Sequence, residues 1–267
     1  MIVEKTYKIL KESHPEIKEI TITDVVIGMH LACIRLSDNS VGVASALEDT
    51  KTFCAANRDF DDFTPTQIKG KKITELFESA KQSNITGTLK MAVLNAISSR
   101  MFEDSAYTII TKTDPVDLVD LSKIKTVTVI GAFQSYIHRF ANAKHHLTVL
   151  ELDKDSLSED QQQYFVPAAD YKKVIPKSDL VIITGFTLVN NTLDDILKSV
   201  SENTQVIVTG PSSSLIPDIL FENNVNYIGA VRIKDKDLLF QVVGQGGHGY
   251  HLFKYCAEKI CIVNEKG

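Results

Sequence analysis

Along the first third of the chain the spacing of apolar residues changes twice. Ile2, Val3, Tyr7, Ile9 and Leu10 recur at helical spacing, which predicts an amphipathic helix. It stops near His14-Pro15, because proline disfavours helix in the residue before it. The run ITITDVVIGMHLACIRL (20–36) is rich in β-branched residues, and VGVASAL (41–47) follows after Ser37-Asp38-Asn39-Ser40. Turn formers between two apolar runs predict a hairpin, with Gly28 marking a bulge or a bend between two strands. Residues 51–72 carry few apolar positions and read as a long irregular loop, a kind that is often functional in a compact domain. Two helices are expected next, over Ile73–Lys81 and Gly87–Met101, the second with an apolar stripe of Leu89, Val93, Leu94 and Ile97.

From about residue 113 the pattern is different. TVTVIG (126–131), HLTVLEL (146–152), DLVIITG (179–185), TQVIVTG (204–210) and VNYIGAV (225–231) are near-continuous Val/Ile runs, as expected of strands buried on both faces. Helical patterns begin at Phe133 and cover Thr192–Val200 and Leu215–Asn223. Strands alternating with helices make βαβ units and a parallel sheet. The expected architecture is α/β: a small α+β domain over residues 1–112, then a Rossmann-like, doubly wound domain over 113–267.

Composition narrows the function classes. The chain has 267 residues with a formal net charge of −5, so it lacks the basic excess that coats nucleic acid. No apolar run approaches the roughly 20 residues that span a bilayer, and the first residues lack the apolar core of a signal peptide. Four cysteines in a chain of this length do not make a disulfide scaffold. These features predict a cytoplasmic protein with neither nucleic acid nor membrane as partner, and they leave a homo-oligomer open; the expectation of a small-molecule partner comes from the strand ends.

Ligands of open α/β sheets bind where strand carboxyl ends meet helix amino ends. Three predicted strands end in glycine, at Gly131, Gly185 and Gly210. The first turn reads Gly131-Ala132-Phe133-Gln134-Ser135-Tyr136. Phe133 and Tyr136 stand where a dinucleotide fingerprint needs glycine, which argues against ordinary NAD or FAD binding. Glu151 follows twenty positions on, where a carboxylate can take the hydroxyls of a ribose or another polyol. ITGFTLVNNTLDDIL (183–197) gathers Thr184, Thr187, Asn190, Asn191 and Thr192 around one helix entrance, more hydroxyl and amide groups than capping alone requires. Gly210-Pro211-Ser212-Ser213-Ser214 lacks the second glycine of a nucleophile elbow. It reads as a hydroxyl-rich cradle for an anion, or as plain helix caps. The stretch Gly244–Tyr250 holds Gly247 and His248, the histidine being a candidate acid or base. Asn95, an amide in an apolar helix, needs partners if buried and is expected to face the second domain.

Metal ligands are sparse. None of the seven histidines belongs to an H-E-x-x-H pair. Cys256 and Cys261 are spaced wider than a C-x-x-C knuckle, and Cys33 and Cys54 show no paired spacing. Buried structural thiols are the expectation, and no dedicated metal cage is apparent.

With these residues in view, the chain resembles the heavy-metal chelation domain family. In that family a domain like the amino-terminal domain of enolase precedes a Rossmann-like one. The resemblance is carried by LKMAVLNAI (89–97), TVIGAF (128–133), the stretch around Glu151, residues 183–197, GPSSSLIPDILF (210–221) and the GQGGHG loop. It implies a ligand site between the two domains, and a role in metal homeostasis or in making a metal-binding, pterin-like or flavin-like molecule. It carries Asn95, Gly131, Phe133, Glu151, Thr184, Gly185, Thr187, Asn190, Gly210, Pro211, Ser212, Gly247 and His248 into that site. The leading expectation is an enzyme acting on a small polar metabolite in the interdomain crevice, with Glu151 and His248 as catalytic candidates. Ser213 joins the remaining residues as ligand-binding. Two alternatives stand beside it: a non-catalytic metal or metal-complex binding protein, and an S-adenosylmethionine-dependent methyltransferase-like enzyme. Neither residues nor resemblance name a cofactor.

Overall fold

The computed structural model describes residues 1–47, 63–79, 83–104, 107–141 and 144–265. In the first lobe, helix α1 (Ile2–Ser13) buries Ile2, Val3, Thr6, Tyr7 and Leu10, the face its apolar spacing predicts. Strands β1 (Ile22–Ile27), β2 (Leu31–Leu36) and β3 (Val41–Ser45) form an antiparallel meander. The β2–β3 turn is the expected one: Asn39 takes a left-handed φ of 64°, and an Asp38 carboxylate oxygen accepts from the Ser40 N–H at 2.9 Å and hydroxyl at 2.7 Å. Gly28 lies between β1 and β2. A Cβ there would stand 2.2 Å from the Val243 carbonyl oxygen, so this glycine serves a close approach of the second lobe.

Helix α2 (Ile73–Glu78) is shorter than expected. Lys81 and residues 51–62 of the expected loop lie outside the described residues. Helix α3 (Asn84–Asp104) differs more instructively. In place of a single apolar stripe, every residue from Met91 to Ser98 is buried. A helix apolar all round belongs inside a protein, and α3 runs between the small sheet and the second lobe. Gly42 on β3 permits this packing, because a Cβ there would sit 2.0 Å from the Ala92 carbonyl oxygen.

The second lobe is built on strands β4 (Thr108–Thr111), β5 (Thr126–Ile130), β6 (His146–Glu151), β7 (Phe165–Pro167), β8 (Leu180–Thr184), β9 (Gln205–Thr209), β10 (Tyr227–Ile233) and β11 (Ala257–Val263). Its helices are α4 (Gln134–Ala141), α5 (Tyr171–Val174), α6 (Phe186–Val189), α7 (Leu193–Leu197), α8 (Asp218–Glu222), α9 (Lys236–Gly244) and α10 (Gly249–Tyr255). The eight strands lie in the order β4-β11-β10-β9-β8-β5-β6-β7. From β5 to β10 they run parallel, while β11 joins β10 and β4 antiparallel. The parallel part has the doubly wound order 3-2-1-4-5-6. β4 precedes residue 112 in the sequence and yet pairs into this sheet. Helix α8 begins later than the expected Leu215, because Pro217 disfavours helix at Ile216.

Alternate strand residues feed opposite faces. Val127, Val129, Val149, Leu180, Ile182 and Ile207 pack under α4. Val181, Ile183, Val206 and Val208 join a core that continues through α3 to α1 and the small sheet. The lobes therefore share apolar packing. Among the described residues no helix is long and apolar enough to cross a membrane.

Candidate functional site

The strand order reverses between β5 and β8, and chains leaving a parallel sheet at such a point open a crevice beyond the carboxyl ends. Gly131 turns the chain there with φ +98°, and a Cβ on it would lie 3.1 Å from Thr184 Cγ2. Its N–H donates to the Leu150 carbonyl oxygen at 3.0 Å, holding the ends of β5 and β6 level. Around this point lies a crevice of about 600 Å³, whose wall includes Gly131, Glu151, Tyr171, Thr184, Thr187 and Asn190. Five of the residues expected at the site are thus gathered on one wall.

Their polar groups are partly engaged. Thr184 Oγ1 accepts from the Phe186 N–H at 3.3 Å, and the Thr187 hydroxyl donates to the Thr184 carbonyl oxygen at 2.7 Å. Asn190 Oδ1 accepts from the Thr192 N–H and hydroxyl. Glu151 Oε1 accepts from the Leu152 N–H at 2.6 Å. A carboxylate with one oxygen so engaged keeps acceptor sites for ligand hydroxyls.

The crevice adjoins a second cavity, of about 780 Å³, between the lobes. Leu152, Phe186, Asn190 and Asn191 belong to both walls. The first lobe contributes His30 and Ser45, and α3 contributes Gly87 and Lys90. Burial pushes the Lys90 amine below the ordinary lysine value, with Glu4 opposing the shift. Lys90 carries no motif that marks it in the sequence. Its signal is isolation: it is the single charged residue between Lys81 and Arg100.

The other expected residues lie elsewhere. Phe133, Gly210 and Pro211 line a separate cavity of about 740 Å³ beside Tyr136 and Phe253. Gly185 is backed by Ser213, whose amide nitrogen would lie 3.0 Å from a Cβ at that position. Ser212 and Ser213 are fully buried and line none of these three cavities. Ser212 Oγ accepts from the Ser45 N–H of the first lobe at 2.8 Å, and the Ser213 hydroxyl donates to the Gly210 and Gly229 carbonyl oxygens, each at 2.7 Å. The serines expected to cradle an anion instead fasten backbone, partly across the lobe interface.

Asn95 does face the second lobe. Its amide donates to the carbonyl oxygens of Val43 at 2.8 Å and Pro211 at 3.2 Å, spanning the interface away from the crevice. Gly247 packs on α9, where a Cβ would meet the Val242 carbonyl oxygen at 2.5 Å. His248 is exposed and lies outside all three cavity walls, and its ring stacks on that of His30.

The residues do not fit a metal held by side chains. Among the described residues no three His, Cys, Asp or Glu side chains are placed to hold an ion. Stacked imidazoles such as His30 and His248 keep their ring nitrogens in near-parallel planes, so they cannot both aim lone pairs at one ion. Cys33, Cys256 and Cys261 are buried, and burial pushes their thiols up to about 12, about 11 and about 12. They are far from the thiolate form a metal requires. Cys54 lies outside the described residues.

Two family models, each described as "Putative heavy-metal chelation", match residues 10–98 and 114–262. An uncharacterized protein of Methanocaldococcus jannaschii is 23% identical over 243 residues, covering 88% of this chain and 86% of that protein. A crystal structure of a protein of unknown function from Pyrococcus horikoshii, of the family that matches residues 114–262, superposes with a TM-score of 0.79 at 18% identity. It covers 99% of this chain and 100% of its own. A structure of the same family from Desulfitobacterium hafniense gives a TM-score of 0.70 at 18% identity, covering 97% and 99%. The likeness to these two structures is one of fold.

Proposed function

Because the chain belongs to the heavy-metal chelation family, with a family model matching each lobe, we propose that it binds a small polar, hydroxyl-bearing organic metabolite and takes up metal only as that molecule's cargo. One observation carries the reading. The crevice at the strand-order reversal, with Glu151 on its wall, adjoins the cavity between the lobes. A pterin-, flavin- or chelator-like molecule has the size for such a space, since ligand pockets commonly measure roughly 300–1,000 Å³. In this reading Glu151 takes ligand hydroxyls, while Thr184, Thr187 and Asn190 orient its polar edge. His248 is assigned no role at the crevice in this reading, since it stands outside that wall and stacks on His30 of the adjoining cavity.

The test is a thermal-shift panel of nucleosides, pterins, flavins, amino acids and metal-loaded organic chelators, run on the unaltered protein and on Glu151→Gln. A ligand at a hundred times its Kd stabilises by about 2.7 kcal/mol, or roughly 5–10 °C for a protein of this size. The expected result is such a shift with one class, reduced in the variant. A panel that moves neither protein overturns the reading. Stabilisation by S-adenosylmethionine alone would replace it with the methyltransferase reading.

A further inference from the structure

Unlike the crevice, whose charged wall residues among those described are the carboxylates Glu151 and Asp195, the cavity between the lobes carries a cation. Among the described residues on its wall, Lys90 is the one lysine or arginine and Glu4 the one carboxylate. Glu4 is exposed at the rim, whereas Lys90 is partly buried on a helix whose residues from Met91 to Ser98 are all buried. No ion pair holds Lys90 among the described residues; its ammonium lies 5.9 Å from the centroid of the Phe77 ring. Half-burying a cation with only the exposed Glu4 to offset it is costly, and groups so perturbed cluster at functional sites.

Local geometry aims it. Side chains on a helix lean toward its amino end, so Lys90 lies over the turn containing Thr86 and Gly87. Gly87 has no side chain to fill that space, and both residues are on the cavity wall. The opening turn of α3 contains no acidic residue, so nothing there neutralises the charge.

Building on the ligand reading above, we propose that Lys90 binds an anionic group of the ligand in the cavity between the lobes, while Glu151 takes its hydroxyls in the crevice. The ligand is then a polyhydroxylated molecule ending in a phosphate or a carboxylate. The carboxylate- and lysine-bearing walls meet at Leu152, Phe186, Asn190 and Asn191, and the proposed ligand would extend across that shared edge.

Calorimetric titration with ribose, ribose 5-phosphate and ribonate tests this and separates the two anions. The unaltered protein is expected to bind one of the anions at least tenfold more tightly than ribose. Lys90→Met should bring that anion to the level of ribose, and Lys90→Arg should keep most of the preference. Glu151→Gln should weaken all three in parallel and leave the preference intact. Lys90→Met should also melt no lower than the unaltered protein, since it removes a desolvated charge, so a loss of binding is not a loss of fold. Equal binding of ribose and both anions overturns the inference, as does a preference that survives in Lys90→Met. If none of the three binds while another member of the earlier panel does, the inference falls and the ligand reading stands. A silent panel overturns both.

Discussion

The imidazole of His248 lies face to face with that of His30, centroids 3.7 Å apart and planes 21° from parallel, so the glycine-rich turn of the second lobe rests on the β1–β2 turn of the first. His248 is exposed, yet the partial desolvation of its ring, then the neighbouring His30 and His251, hold it below its ordinary value of 6.5. An unfolded chain takes up this proton more readily than the folded one. The contribution of this one exposed, solvent-screened group is therefore full above about pH 6.5 and is lost as pH falls through the folded value, so the effect is small. The melting temperature should drop on acidification just below 6.5. His248→Phe keeps a ring for the stack without a titrating group, and it should soften that drop. An equally steep fall in the variant would show that the pair does not set it.

Gly42 is where β3 touches α3. A Cβ there would stand 2.0 Å from the Ala92 carbonyl oxygen and 2.5 Å from the Ala96 nitrogen. Both are backbone atoms of a helix packed on all sides, so neither can move cheaply. Gly42→Ala should cost about 3 kcal/mol in urea unfolding, the upper part of the usual range for overpacking. A loss under about 0.5 kcal/mol would mean that the small sheet slides freely on α3.

Ser212 Oγ accepts the Ser45 N–H across the lobe interface. Alanine at this position leaves a polar group without its partner, and Ser212→Ala should destabilise by about 1–3 kcal/mol. Ligand affinity should stay within about twofold, because Ser212 lines neither the crevice nor the adjoining cavity. Glu151→Gln should do the reverse, sparing stability and weakening the ligand. Parallel losses in both variants would return Ser212 to the binding wall.

These contrasts show what the residue pattern could disclose. The Val/Ile runs of β5, β6, β8, β9 and β10 announce a parallel sheet because both faces are covered, and the glycines at their ends mark the rim. β7 escapes notice because it has three residues and ends in Pro167. β11 escapes because Glu258 and Lys259 interrupt its apolar run, a pattern suited to a strand that leaves the parallel core. Side-chain destinations are a harder matter. A serine after a strand can face a ligand or fasten a backbone amide, and spacing does not separate the two. Ser212 and Ser213 do the second, while Thr184 and Thr187, equally anonymous in sequence, reach the crevice. Lys90 could have been noticed as a lone charge among apolar neighbours, but its use depends on a cavity formed by residues from the other lobe.

The family description raises a direct question about metal, and the side chains answer it with a prediction. Side-chain chelation needs several ligands converging on one point, deprotonated at working pH. Among the described residues no such group of three exists. The three described cysteines are buried and held as thiols, and His251 Nδ1 already accepts from the His248 N–H at 3.0 Å. A metal bound at a thousand times its Kd would stabilise the fold by about 4.1 kcal/mol, so stripping it would lower the melting temperature by roughly 8–16 °C. The expected result is that treatment with a strong chelator leaves the melting temperature unchanged, and that nickel, zinc or cobalt added alone does not raise it. The same metals presented as complexes with an organic chelator should stabilise the protein, and Glu151→Gln should reduce the effect. A chelator-induced fall of several degrees, accompanied by stoichiometric release of metal, would place the ion on the protein itself and remove the organic molecule from the account.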